Sequence, residues 1–238
     1  MQKLKNKVAY ITGGSKGIGL GIAKILHQAG IKVAISGRTL KDVKKAAKEI
    51  TDNADEVLAI ESDVTQHNDE KAAVQKIIKK FGQLDYVIAN AGVGFFAPID
   101  EMKDEDWHAM IDTNLSGIFH TLKASVEALK KSKGYYITIA SLAGTNFFEG
   151  GAGYNATKFG VVGFTQAAML DLRKHDIKVT TIMPGSVSSH FNDHTPSEED
   201  TWKIQPEDIG QIVLDLLNMH PRTLPSKIEV RPLKTKKS

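Results

Sequence analysis

The sequence predicts an α/β domain in which a parallel sheet of seven strands is doubly wound, with helices on both faces. Three observations predict it. Apolar runs of strand length recur seven times, at 7–12, 32–36, 56–61, 85–90, 135–140, 178–183 and 227–231. Longer stretches with helical spacing separate them, as in Ile18, Ile22, Ile25 and Leu26, and again in Val74, Ile77, Ile78 and Phe81. The runs are apolar on both faces, as strands are when buried between two helical layers and joined by right-handed crossovers. A chain of 238 residues with no repeat, linker or low-complexity tract needs only one core, so one domain is expected over residues 1–238.

Composition narrows the function classes. Hydrophobic residues at 41% and charged residues at 25% suit a folded soluble protein. The formal charge of +3 is small, and the lysines are spread along amphipathic stretches, so neither nucleic acid nor a membrane is an expected partner. The basic tail of Lys234, Lys236 and Lys237 reads as a solvated end. The absence of cysteine excludes a disulfide framework, a thiolate nucleophile and a thiolate metal site. The N-terminus runs directly into a strand, which does not resemble a secretory leader, and no apolar run reaches the length of a membrane span. A cytoplasmic location is the expectation.

In doubly wound sheets the ligand lies beyond the carboxyl ends of the strands, so the loops that follow strands carry the functional signal. The first strand ends in Thr12-Gly13-Gly14-Ser15-Lys16-Gly17-Ile18-Gly19 and becomes a helix. Glycines let the backbone turn tightly beside a pyrophosphate, and the N–H groups and dipole of the helix attract its charge. The spacing Gly13, Gly17, Gly19 departs from the general dinucleotide fingerprint. At the end of the second strand, where NAD proteins present a carboxylate to the ribose, the chain reads Ser36-Gly37-Arg38-Thr39. Arg38 together with Lys16 suits a 2′-phosphate, which favours NADP(H) over NAD(H).

Tyr154 and Lys158 stand at i and i+4 in a helical stretch, on one face. A tyrosine of pKa about 10 donates its proton poorly near neutrality, and a neighbouring ammonium is expected to lower that value. Ser141 closes the fifth strand, where its hydroxyl would bond a substrate oxygen, and Asn90-Ala91-Gly92 closes the fourth. Asn114, on a helix between them, is expected to hold a water against Lys158 with its amide.

These residues together resemble the short-chain dehydrogenase/reductase family. The family's glycine-rich loop is matched by Thr12 to Gly19, its adenine-contacting pair by Asp63-Val64, and its strand-end motif by Asn90-Ala91-Gly92. Its Asn, Ser, Tyr, Lys tetrad falls on Asn114, Ser141, Tyr154 and Lys158, and its Pro-Gly turn on Pro184-Gly185, followed by Val187 and Ser189 near the carboxamide. The resemblance is specific because several motifs occur in one order over residues 5–219, and it is to members such as 3-oxoacyl-[acyl-carrier-protein] reductases. It implies a Rossmann-type fold, a Tyr154 general acid, a Lys158 that holds the nicotinamide ribose, and a carbonyl oriented by Ser141.

The chain departs from the family in places. Ala89 stands where a second asparagine is common, and Ser189 where a threonine is common. Only the polar segment 186–205 separates the Pro-Gly turn from the next helix signal, so a mobile substrate loop and an open site are expected. The final segment 226–238 lacks a glycine-rich ending, which puts the usual tetramer contacts in doubt and leaves a dimer on the helices around Asn114 and Tyr154. His190, Asp193 and His194 lack a convincing further ligand set, so no metal is expected. Phe95, Phe96, Phe147 and Phe148 read as pocket or rim residues. The rival to a carbonyl reductase is a non-catalytic NADP(H) redox sensor, which needs no tetrad. A dehydrogenase that acts mainly on alcohols is a further alternative.

Overall fold

A computed structural model describes residues 4–235, and Lys236 and Lys237 of the basic tail lie outside the described residues. The strands are β1 (Val8–Ile11), β2 (Lys32–Gly37), β3 (Val57–Glu61), β4 (Tyr86–Ala89), β5 (Tyr135–Ile139), β6 (Lys178–Pro184) and β7 (Lys227–Val230). Each lies within two residues of its expected bounds. All pair in parallel, in the order β3-β2-β1-β4-β5-β6-β7. The chain winds outward from β1 to β3, then crosses back to place β4 on the other side of β1. That reversal opens the crevice between the ends of β1 and β4.

The helices are α1 (Gly17–Gln28), α2 (Leu40–Ile50), α3 (His67–Phe81), α4 (Asp104–Met110), α5 (Gly117–Ser132), α6 (Ala152–Leu172) and α7 (Pro206–Asn218). A π-helical turn, Ile111–Ser116, joins α4 to α5 without interrupting the rod. Alternation along β1 divides the core. Val8 and Tyr10 pack with α3, α5 and α6, whereas Ala9 and Ile11 pack with α1, α2 and α7. Helix α7 approaches α1 closely because glycines meet it: a Cβ on Gly21 would stand 2.5 Å from the Pro206 carbonyl carbon, and one on Gly210 2.8 Å from Ile25 Cγ1.

The first of these cores also encloses a carboxyl group. Tyr10 Oη donates to Glu70 Oε1 at 2.9 Å and Ser62 Oγ donates to the same oxygen at 2.7 Å, while Ser36 Oγ lies 3.0 Å from the Tyr10 hydroxyl. Because Tyr10 gives its proton to Glu70, the Ser36 hydroxyl is the donor in the last bond. Burial holds the Glu70 carboxyl above the usual range, against the hydrogen bonds from Ser62 and Tyr10. A glutamate raised in the fold retains a proton that the unfolded chain has released, so stability falls as pH climbs from about 4 through the folded value. Glu70→Gln is therefore expected to raise the melting temperature at about pH 8 and to lose that advantage toward about pH 4, measured as thermal unfolding across pH.

Candidate active site

The carboxyl ends of the central strands open on a cleft of about 570 Å³. Its wall contains Gly13, Ser15, Lys16, Gly17, Ile18, Arg38, Asp63, Val64, Asn90, Ala91, Gly92, Ser141, Tyr154, Lys158, Pro184, Gly185, Val187 and Ser189, all singled out in the sequence. Three others do not line it. Gly19 is buried and packs on the loop, where a Cβ would stand 2.4 Å from the Gly13 carbonyl oxygen. Thr39 is exposed at the start of α2, where its side chain makes no capping hydrogen bond, and Asn114 is fully buried.

The glycine loop has the form of an anion cradle. Gly13 and Gly17 adopt φ of +63° and +55°, and a Cβ on Gly13 would stand 2.9 Å from Ala91 Cα. The first turn of α1 receives no side-chain cap from Lys16 and contains no acidic residue, so its N–H groups are available to an anion. Neither Lys16 nor Arg38 is held by an ion pair among the described residues, and both face the cleft. Asp63 also lines it, with Oδ1 accepting the Thr65 N–H at 2.9 Å. The residues present therefore fit a dinucleotide, with a glycine cradle and two cations facing one cleft.

Thr12 and Asn90 join the cradle to β4. Thr12 Oγ1 accepts the N–H groups of Asn90 and Ala91 at 3.0 and 3.1 Å, and Asn90 Nδ2 donates to the carbonyls of Thr12 and Gly13 at 2.9 and 3.2 Å.

On the far wall, Ser141 caps a 3₁₀ turn (Leu142–Gly144), its Oγ accepting the Ala143 N–H at 3.1 Å. With that bond made, the hydroxyl proton remains to be given elsewhere. Lys158 Nζ donates to the Ile139 carbonyl at 3.2 Å and lies 5.5 Å from the centre of the Tyr154 ring. The expected lowering of the Tyr154 pKa by that ammonium is not what this geometry produces. Burial dominates and pushes Tyr154 up to about 12, with the Ser141 hydroxyl pulling in the opposite direction. Burial likewise pushes Lys158 down to about 8.

The Asn114 amide also differs from expectation. Oδ1 accepts the Val93 N–H at 2.8 Å, while Nδ2 donates to the Val93 carbonyl at 2.8 Å and to Thr157 Oγ1 at 3.1 Å. Both amide protons are spent on protein, so the side chain ties the loop after β4 to α6 instead of donating to a water. It lies near the ammonium: a Cβ on Gly92 would stand 3.2 Å from Asn114 Oδ1 and 3.8 Å from Lys158 Nζ. Asn155 has a similar positioning role that the sequence reading missed. Its Nδ2 donates to the carbonyls of Ala143 and Asn146, both at 2.7 Å, and fastens the Ser141 turn to the first turn of α6. A buried amide next to Tyr154 in sequence was the available signal.

Segment 186–205 is folded over the site, where an open loop was expected. Ser188 N donates to the Ile204 carbonyl at 2.9 Å and Ile204 N to the Ser186 carbonyl at 3.1 Å, closing the base of the segment. Two short 3₁₀ turns, Phe191–Asp193 and Glu198–Asp200, fill it. Asp200 binds His194 Nε2 at 2.5 Å and Lys203 Nζ at 2.6 Å, and these partners, His194 foremost, hold its carboxyl below the usual range. His194 is thus engaged by a carboxylate and a lysine, and no group of three or more metal-binding side chains occurs among the described residues. Phe95, Phe96, Phe147 and Phe148 do not line the cleft itself: Phe96 meets the Tyr154 ring edge-on at 5.4 Å and Phe148 meets Phe96 at 5.6 Å, while Phe147 stacks on Phe159 and with Phe148 lines a separate hollow.

A phosphate cradle at the sheet's switch point, facing a buried tyrosine and lysine, defines a Rossmann-type oxidoreductase. The family model described as short chain dehydrogenase matches residues 7–200, and the chain belongs to that family. It is similar to a Staphylococcus aureus protein named as an uncharacterized oxidoreductase, 34% identical over 98% of this chain and 100% of that one. Among solved structures, an alcohol dehydrogenase from Thermococcus sibiricus complexed with 5-hydroxy-NADP superposes with a TM-score of 0.90 at 29% identity, covering 98% of this chain and 99% of that one. A metagenomic short-chain oxidoreductase in complex with NADP superposes at 0.84 with 31% identity, over 98% and 99% of the two chains. No helix among the described residues is long and apolar enough to cross a membrane.

A buried ammonium costs stability wherever it is charged. With the Lys158 pKa at about 8 in the fold, against about 10.5 in the unfolded chain, that cost is complete below pH 8 and disappears above 10.5. Lys158→Met is expected to stabilise the nucleotide-free protein at about pH 7 and to lose that gain toward about pH 10.5, in melts recorded across that range.

Proposed function

We propose that this protein is an NADPH-dependent reductase that adds hydride to the carbonyl of a ketone or aldehyde, 3-oxoacyl thioesters included, with Tyr154 as the proton donor. The observation that carries the reading is the placement of Tyr154, Ser141 and Lys158 on the cleft wall opposite the glycine cradle. A nicotinamide dinucleotide supplies the hydride when bound. Gly13, Ser15, Gly17, Ile18 and Gly19 would hold its pyrophosphate, Lys16 and Arg38 its 2′-phosphate, and Asp63, Val64, Asn90, Ala91 and Gly92 its adenosine half. Thr39 would cap the ribose site from the start of α2, and Pro184, Gly185, Val187 and Ser189 would bound the nicotinamide.

Ser141, its oxygen anchored by Ala143 N–H, directs its proton to the substrate oxygen. Tyr154, with a pKa of about 12, carries its proton throughout the neutral range and gives it to the alkoxide as charge develops there. Lys158, near 8, stands ready to stabilise the phenolate left behind, and Asn114 fixes the loop that holds Gly92 and Val93 against it. The gathering of Ser141, Tyr154 and Lys158 in one cleft supports reduction over a purely sensing role, which needs no acid. The apolar side chains exposed along α5 and α6, Phe119, Phe159 and Leu170, support a homodimer through that face.

Titration with both nucleotides, followed by NADPH oxidation against a carbonyl panel, tests the proposal. Tyr154→Phe is expected to lower kcat by about 100-fold or more while leaving NADPH affinity unchanged. Arg38→Ala is expected to weaken NADPH binding about tenfold or more and NADH binding little. Equal affinity for the two nucleotides in the unaltered protein would overturn the cofactor assignment.

A further inference from the structure

One ring in the cleft belongs to neither the cofactor cradle nor the proton-transfer group. Phe191, from segment 186–205, lies 5.4 Å from the Tyr154 ring at 54° and 6.3 Å from the Phe96 ring at 58°. Its tip rests on bare backbone: a Cβ on Gly94 would stand 2.2 Å from Phe191 Cζ and 2.7 Å from Cε1. Gly94 thus forms a notch that admits the edge of a six-membered ring and that any larger residue would fill. The surroundings are apolar, with Val93, Met102, Met110 and Ala143 in the same cluster. Tyr154 is only 8% exposed beneath this cover.

The cover is local. The base of the segment is closed by the Ser188 and Ile204 hydrogen bonds, and its far side by the Asp200 pairs with His194 and Lys203. Between them Phe191 sits on a single 3₁₀ turn whose next residue, Asn192, has φ of +53°, in the left-handed region that asparagine tolerates. A substrate carbonyl must come within hydrogen-bond distance of the Tyr154 hydroxyl, and the Phe191 ring lies beside the Tyr154 ring in the same cleft.

We propose that Phe191 occupies the seat of the substrate's own ring. The carbonyl compound would carry an aryl or similarly sized cyclic group that takes the place between Tyr154, Phe96 and Gly94 as the Phe191 turn moves aside. Phe191 and Gly94 are then specificity-determining residues: one competes with the ring of the substrate, the other supplies its notch. The inference rests on the carbonyl-reductase reading and narrows its substrate class. A linear acyl chain gains less from the tilted aromatic contacts that the seat provides.

The test separates binding from turnover. Benzamide and propionamide, a ring-bearing and a linear carbonyl compound that are not reduced, are titrated calorimetrically into the NADPH-loaded protein and its Phe191→Ala and Gly94→Ala variants. Thermal melts confirm that both variants are folded. Benzamide is expected to bind about tenfold or more tightly than propionamide, to gain severalfold in Phe191→Ala, and to lose its advantage in Gly94→Ala. Turnover on phenyl ketones is expected to shift in KM in the same directions, with kcat little changed. Equal binding of the two amides, or variants that move both alike, would overturn the seat. A ring preference in binding without turnover on any carbonyl would uphold the seat and defeat the reductase reading.

Discussion

The site depends on the strand ends of β1 and β4 lying side by side and being fastened there. Thr12 and Asn90 provide the fastening, four hydrogen bonds that turn two loop starts into one rigid ledge. The bonds satisfy backbone groups that the sheet no longer pairs. Because the ledge is rigid, Gly13 can pass within contact distance of Ala91, and the first turn of α1 is aimed across the mouth of the crevice. The far wall is set against this ledge, through β5 and through the Asn114 amide that clamps Val93.

Burial governs the chemistry of that far wall. Tyr154 and Lys158 are displaced in opposite directions, each toward its neutral form, because neither charge has a close opposite charge to offset desolvation. The resting site is therefore a neutral phenol beside a lysine close to its titration point. A negatively charged oxygen forming in that space would meet two donors and almost no competing solvent, the condition under which preorganised hydrogen bonds have their greatest effect. The same desolvation that weakens the fold strengthens the site.

Features that repeat over many residues were legible in the sequence, and single contacts were not. Seven strands were placed because each run is apolar on both faces, and the cradle because a glycine turn between strand and helix leaves few alternatives. The tetrad positions were recognised as a set, but the working geometry of Asn114 was not. Whether an amide bonds water or protein depends on Val93 and Thr157, residues distant in sequence that only the packed helices bring together. Asn155 escaped notice for the same reason. Segment 186–205 looks open in sequence because its polar residues lack periodicity, yet its order comes from cross-segment pairs, Ser188 with Ile204 and His194 with Asp200, which no local pattern announces. The sign of the Tyr154 shift is not legible in the sequence, which shows which charges can be near but not how little water surrounds them.

The close contact of α1 with α7 has a consequence for how this architecture can vary. Segment 186–205 emerges from the Pro-Gly turn, where Gly185 N donates to the Val230 carbonyl at 2.8 Å, and it ends at Pro206, pressed on Gly21 of the helix that opens the cradle. Both of its feet are thus bolted to the nucleotide-facing frame by contacts that do not involve the residues between them. The intervening stretch behaves as an interchangeable cassette. Beyond Ser189 its length and side chains can change while the frame stays in register, so a lineage could alter which molecule it accepts without rebuilding the half that carries the glycine cradle.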